Sequence, residues 1–304
     1  MRVVFLGNDR WSVPSLRALA DDAGIEIALV GTAAPKPAGR GSKLRATDVA
    51  DEARTRSLPL IEVARITEHL DELHTASPDV LVVVAYGEIL RGPLLELAPR
   101  GAVNVHFSLL PRLRGAAPVQ RAILEGADLT GVTTMRMDPG LDTGPILLQR
   151  EEPISDTDDA GSLGTRLAEI GGELIVETLA TLDEIAPRTQ DEADATYAPR
   201  IEQKDETIDW TEPADRVVRR IRAMAPNPGA WTRFRGNRLK ILKAQVDARS
   251  GTPGRVVEVG TKRLLVAAGT GSVLIHELAS EGRRRMPTAD WLRGARAEAG
   301  EPLG

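Results

Sequence analysis

DVLVVVAYG, residues 79–87, is the stretch on which the fold turns. From Val80 to Val84 it is apolar without a break, and four of those five residues are valine. A strand with one wet face alternates apolar and polar positions. An unbroken β-branched run of this length predicts a strand buried on both faces, as inside a parallel sheet covered by helices. The flanking sequence repeats the theme. RVVFLG (2–7) and EIALVGT (26–32) read as strands, and VPSLRALAD (13–21) between them places apolar residues at helical spacing. ATDVADEART (46–55) predicts a helix, as does TEHLDELH (67–74), which begins on a Thr cap and keeps Leu70 and Leu73 on one face. AVNVHF (102–107) and GVTTMRMD (131–138) predict further strands, with a helix around 118–125 between them.

This alternation predicts an α/β domain with a Rossmann-like, mainly parallel sheet and right-handed crossovers. LGNDRW (6–11) follows the first strand where a dinucleotide fold would carry Gly-x-Gly-x-x-Gly. That argues against a dinucleotide cofactor, and no Walker-type loop occurs either. Ligands of open α/β sheets sit beyond the carboxyl ends of the strands. Residues 85–90, 104–111 and 138–144 are therefore the places to look for a site.

The second half changes texture. A helical segment around 158–184 is expected to break at Gly171-Gly172, and the polar stretch 186–210 reads as a linker. RLKILKAQV (238–246), GRVVEVG (254–260) and RLLVAAGTGSVLIHEL (263–278) are short strands between Gly turns. They predict a small all-β barrel of OB-like type. The expected organisation is a catalytic domain over 1–186, a linker over 187–209 and a C-terminal β-barrel domain over 210–304.

A length of 304 residues fits two domains better than one. There is no cysteine, which excludes disulfides, thiolate nucleophiles and Cys-ligated zinc, and the four histidines form no His-x-x-His pattern, so no metal is expected. No apolar run is long enough to cross a membrane. The N-terminus lacks the marks of a signal peptide, so a cytoplasmic protein, working as a monomer, is expected. The formal charge of −5 is unevenly spread. Residues 201–304 hold 19 basic and 13 acidic residues, net +6, while residues 1–200 hold 20 and 31, net −11. A basic C-terminal third fits a polyanionic partner, or simply an arginine-rich solvated surface.

Candidate chemistry concentrates in two turns. Asn104 and His106 are two residues apart, so on a strand both project from one face, and an amide and an imidazole can converge on one oxygen. Asp142, in the Gly-rich turn MDPGLDTGPI (137–146), supplies a carboxylate, with Asp138 as a competitor whose Asp-Pro-Gly context suits a turn starter. Taken singly, His106 reads more readily as a core histidine bonded to a backbone carbonyl, and Asp142 as an Asx-turn.

Taken together, NVHFSLLPRLRGAAPVQRAIL (104–124) and GVTTMRMDPGLDTGPIL (131–147) resemble the folate-dependent formyltransferases. PAGRGSKL (37–44), VVVAYGEIL (82–90), YAPRIEQKDETIDW (197–210) and IRAMAPNPGAW (221–231) stand in the order shown by the branch that formylates initiator methionyl-tRNA. The resemblance implies a formyl-transfer enzyme of translation initiation that takes 10-formyltetrahydrofolate as donor. It places the catalytic residues on Asn104, His106 and Asp142, and the folate contacts on Ser108, Leu109, Leu110 and Pro111. It implies that the loop holding Arg40 and Lys43 meets the acceptor stem of the tRNA, and that the C-terminal domain is tRNA-binding. Tyr86 to Ile89 suit the pterin ring or plain packing. The alternatives are a formyltransferase acting on an amino-sugar nucleotide or on glycinamide ribonucleotide, a formyltetrahydrofolate hydrolase, and a non-catalytic RNA-binding protein. Two features depart from the family's pattern. Gly7-Asn8-Asp9-Arg10-Trp11 replaces the usual Gly-Thr-Pro-x-Phe, which leaves the amino-acid pocket open, and Ala34-Pro35 replaces the usual Pro-Asp; Phe107 occupies a position the family fills variably.

Overall fold

The computed structural model describes residues 1–38, 43–90 and 92–304. Two compact units emerge. One comprises residues 1–118, 129–153 and 164–198, the other residues 119–128, 154–163 and 199–304.

Along the chain come β1 (Arg2–Gly7), α1 (Val13–Asp21), β2 (Glu26–Ala33), a small hairpin of β3 (Lys36–Ala38) and β4 (Lys43–Arg45), and α2 (Asp48–Thr55). There follow β5 (Leu60–Val63), α3 (Leu70–Thr75), β6 (Val80–Val84), β7 (Ala102–His106), α4 (Pro118–Glu125), β8 (Leu129–Arg136), β9 (Ile146–Pro153) and α5 (Ala160–Ala180). Seven strands form one sheet in the order β5-β2-β1-β6-β7-β8-β9. It is parallel as far as β7. β8 then runs antiparallel to β7, and β9 antiparallel to β8. The valine run is β6, and every residue of it is buried, as an unalternating strand requires. On one face lies a cluster that includes Val4, Leu6, Leu73, Leu81, Val83, Tyr86 and Leu90.

Two local expectations change. α3 begins at Leu70, with a short 3-10 turn at 66–68 before it, so Thr67 is not its cap. α5 runs unbroken through Gly171-Gly172. Those glycines serve close packing. A Cβ on Gly171 would lie 2.9 Å from Val105 Cγ1, and one on Gly172 2.9 Å from the Pro14 carbonyl oxygen.

The stretch read as a linker is tied into the first unit along much of its length. Ile146 and Arg188 exchange two backbone hydrogen bonds of 2.8 Å. Arg114 N–H donates to Thr196 O at 2.9 Å, and Ala198 N–H to Arg114 O at 2.7 Å. Residues from 199 onward belong to the second unit.

The second unit contains α6 (Gln203–Glu206), α7 (Ala214–Met224), β10 (Ala230–Phe234), β11 (Asn237–Asp247), β12 (Val256–Val259), β13 (Leu264–Ala267), β14 (Ser272–Ser280), β15 (Met286–Pro287) and α8 (Thr288–Ala295). The antiparallel order is β10-β11-β14-β13-β12, with β15 on β14. Leu303 bridges Phe234 of β10, and Pro302 bridges Arg255 beside β12, so the last residues lie along both edges of the sheet. The unit is the antiparallel β-rich domain expected, and α7 adds buried Val217, Val218, Ile221 and Met224 to it.

Candidate active site

β7 sets the first two side chains. Asn104 pairs with Val83 of β6 and Met135 of β8, and His106 pairs with Thr133. The Asn104 amide is half-buried and has no hydrogen-bond partner among the described residues. His106 is buried, at 6% exposure. Its Nε2 lies 2.9 Å from the Leu113 carbonyl oxygen, an acceptor only, which places a proton on that nitrogen. Its Nδ1 lies 3.7 Å from Asp142 Oδ2.

Asp142 reaches His106 by an indirect route. Because β8 is antiparallel, its end at Arg136 sits against Val103, at the opposite end of β7 from His106. The turn between β8 and β9 must therefore double back over the sheet. Asp138 pins its start as a local turn carboxylate, accepting from Gly140 N–H at 3.0 Å and from the Thr143 hydroxyl at 2.7 Å. Asp142 adopts φ +54, a left-handed conformation that aspartate tolerates. Its Oδ2 accepts the Gly115 N–H at 2.7 Å, so Asp142 reaches another loop and is no Asx-turn. The carboxylate, at 14% exposure, thus stands between a backbone donor and the imidazole.

The Ser-Leu-Leu-Pro segment turns mostly inward. The Ser108 hydroxyl donates to Arg112 O at 2.6 Å, and its residue is fully buried. Leu110 packs with Met135 and Ile146, and its N–H donates to Thr133 Oγ1 at 3.1 Å. Leu109 and Pro111 are half-buried. Tyr86 belongs to the core, and burial pushes its hydroxyl pKa upward, whereas Ile89 is 61% exposed. Met137 packs on the same core cluster as Tyr86 and Leu90, so the loops after β6 and β8 share a base.

The departures after β1 have structural employment. The Asn8 Oδ1 accepts from Ala33 N–H at 2.8 Å and the Thr32 hydroxyl at 3.0 Å, and its amide donates to Tyr86 O. One side chain thereby ties together the ends of β1, β2 and β6. Trp11 meets Phe107 edge-on at 6.2 Å and lies over Gly164, where a Cβ would stand 2.2 Å from the indole. Phe107, unread from sequence, is thus the partner of the bulkier residue. Arg114 and Gln190 were also missed as participants. Arg114 lies in the quoted motif but reads as surface, and Gln190 sits in a polar stretch with no periodicity.

Arg40 lies outside the described residues, and Lys43 opens β4, where its backbone pairs with Ala38. In the second unit much of the positive charge is paired locally, as in Arg220–Glu212, Arg238–Glu206, Arg249–Asp247 and Arg285–Glu277. Lys262, Arg283 and Arg284 are exposed and in no ion pair among the described residues. Among the described residues no helix is long and apolar enough to cross a membrane, and no group of three His, Asp or Glu is placed to hold a metal ion.

Residues 1–179 match the formyl transferase family, and residues 200–296 match the formyl transferase C-terminal domain. The chain is 41% identical over 308 residues to a methionyl-tRNA formyltransferase of Geobacter sulfurreducens, covering 100% of this chain and 97% of the relative. It is 43% identical over 306 residues to one from a strain of Thermus thermophilus, covering 100% and 99%. A solved structure of HypX from Aquifex aeolicus in complex with tetrahydrofolic acid superposes with a TM-score of 0.64 at 19% identity, over 99% of this chain and 48% of that one, a likeness of fold.

Proposed function

We propose, from the premise that the chain belongs to the formyl transferase family, that Asn104, His106 and Asp142 form the site of formyl transfer. The enzyme transfers a formyl group to methionyl-tRNA, the activity in the names of its full-length relatives. The family uses folate, and 10-formyltetrahydrofolate supplies the formyl carbon in our reading. A substrate in translation initiation fits a cytoplasmic enzyme.

One observation carries the assignment of roles: the Asn104 amide has no hydrogen-bond partner among the described residues, while both imidazole nitrogens face protein groups. When the methionyl amine attacks the formyl carbon, the carbonyl oxygen becomes an oxyanion. A donor already in place stabilises it without reorganisation, and Asn104 is the side chain with such a donor available. His106 would have to leave Leu113 to act there. Its contact with Asp142 sets it on the proton side instead. The carboxylate accepts the proton that the amine loses, directly or through one water, and holds it for the folate nitrogen that leaves, while the imidazole beside it keeps the carboxylate in place. The carbon–nitrogen bond to folate then breaks, and that nitrogen takes up a proton. A pterin would lie on the apolar groups left exposed on neighbouring loops, Ile89 and Leu141, with Leu109 and Pro111 at the half-buried margin. The inward packing of Ser108 and Leu110 leaves them to shape that turn.

The tRNA reading of Arg40 and Lys43 rests on the GRGSK loop, since a planar guanidinium forks onto phosphate or a base edge. Lys262, Arg283 and Arg284, in no ion pair among the described residues, supply charge for the phosphate backbone. The test is incubation with 10-formyltetrahydrofolate labelled in the formyl group, with and without charged initiator tRNA. Label on the aminoacyl group is expected. Free formate without acceptor would indicate a hydrolase, and no turnover a binding protein.

A further inference from the structure

Gln190 is buried, at 6% exposure, and uses its whole carboxamide inside the first unit. Its Nε2 donates to Asp142 O at 2.8 Å and to Gly144 O at 2.7 Å. Its Oε1 accepts from Arg114 Nε at 3.0 Å. Arg114 has no exposed surface and forks onto Glu192 at 3.0 and 2.8 Å. The next residue, Gly115, donates its N–H to the Asp142 carboxylate. The hydrogen bonds and the chain thus close a ring: Asp142 backbone, Gln190, Arg114, Gly115, Asp142 side chain. The paired backbones of Ile146 and Arg188 deliver Gln190 to this point.

We infer that Gln190 is a positioning residue for the reaction, clamping the Asp142 turn so that its carboxylate meets His106. This rests on the reading that Asp142 serves proton transfer. The requirement is specific to glutamine. Two carbonyl oxygens, that of Gly144 buried, need two N–H donors from one side and Arg114 needs an acceptor from the other, which a carboxylate or an apolar side chain cannot supply together. Asp142 also holds a left-handed backbone, which persists where surrounding contacts over-determine it. Release of the turn would leave the carboxylate present but misplaced, and a displacement of about 1 Å is enough to slow such a step severely.

The experiment compares Gln190→Met, Gln190→Glu and Asp142→Ala, and the double variant Gln190→Met with Asp142→Ala, in the full-length enzyme. Single-turnover transfer is measured well below each variant's melting temperature. Gln190→Met keeps the volume and loses all three bonds. Gln190→Glu keeps an acceptor for Arg114 and loses both donors. Both should lower the transfer rate by about tenfold or more, as loss of outer partners does for other functional side chains. Half-saturating concentrations of folate and tRNA should stay within about twofold, since Gln190 is buried with its carboxamide fully engaged by the protein. The double variant should be no slower than Asp142→Ala alone, because the two residues act on one step. Folded Gln190 variants within threefold of the wild-type rate, or losses that multiply in the double variant, would overturn the inference while leaving Asp142 in its role. Asp142→Ala at wild-type rate would remove the role itself.

Discussion

Replacing Asn104 by alanine separates catalysis from stability more cleanly than any other change at this site. The amide makes no hydrogen bond to the described residues, so its removal orphans no partner. The strand around it is held by pairing with β6 and β8 and by buried Val103 and Val105, none of which the substitution alters. The loss of folding stability should then be about 1 kcal/mol or less. Loss of one preorganised donor to a developing oxyanion costs about 3–4 kcal/mol of barrier in other acyl-transfer enzymes, or roughly 100- to 1000-fold in rate. Single-turnover formylation at saturating folate and charged tRNA reads that rate, and thermal unfolding of the same sample reads the stability. A rate within threefold of wild type, with an unchanged melting curve, would refute the assignment. So would a loss carried wholly by weaker substrate binding, since a donor that acts in the transition state affects the chemical step.

Glu52, 10% exposed, is held by Arg17 at 2.7 Å and Arg56 at 2.8 Å, and these bonds bring its pKa down from the usual value to about 2. A folded-state pKa below the unfolded one gives stability that is present above about pH 4.5 and fades as pH falls toward 2. Glu52→Gln should thus cost about 1–3 kcal/mol at neutral pH, and denaturant titrations should show the difference shrinking below pH 4.5. Gly144→Ala should destabilise by about 2 kcal/mol or more and lower transfer, because the new Cβ would lie 1.8 Å from Arg136 O. Melting temperature together with rate checks this. Arg40→Ala should raise the half-saturating tRNA concentration with folate affinity unchanged, and tRNA binding should weaken steeply with added salt; a flat salt profile would count against the phosphate contacts.

The parallel sheet was legible because its evidence is local. The valine run of β6 and the strands and helices around it announce themselves by composition and period. Asn104 and His106 needed only strand geometry. The partnership with Asp142 was legible from motif resemblance alone, since β8 turns antiparallel and the route of its turn back over the sheet depends on contacts far apart in the chain. Gly171-Gly172 misled for a related reason. A helix-breaking signal was overridden by what α5 must pack against, Val105 and the backbone of Pro14. Gln190 gave no signal at all, because a polar residue in an aperiodic segment looks solvated until its partners are known. Asn8 departs from the family's usual residue and still finds three partners, a fact that no reading of the departure by itself contains.

The chain leaves the first unit at 119–128 and again at 154–163 before completing it at 198. No single cut therefore excises a self-sufficient module. A fragment ending with α5 would hold Asn104, His106 and Asp142 but lack the stretch from Arg188 to Ala198 that clasps two of their loops. Recombination that swaps the C-terminal part has to join downstream of Ala198, and a joint placed at the end of the helix would carry the clasp away with the wrong parent.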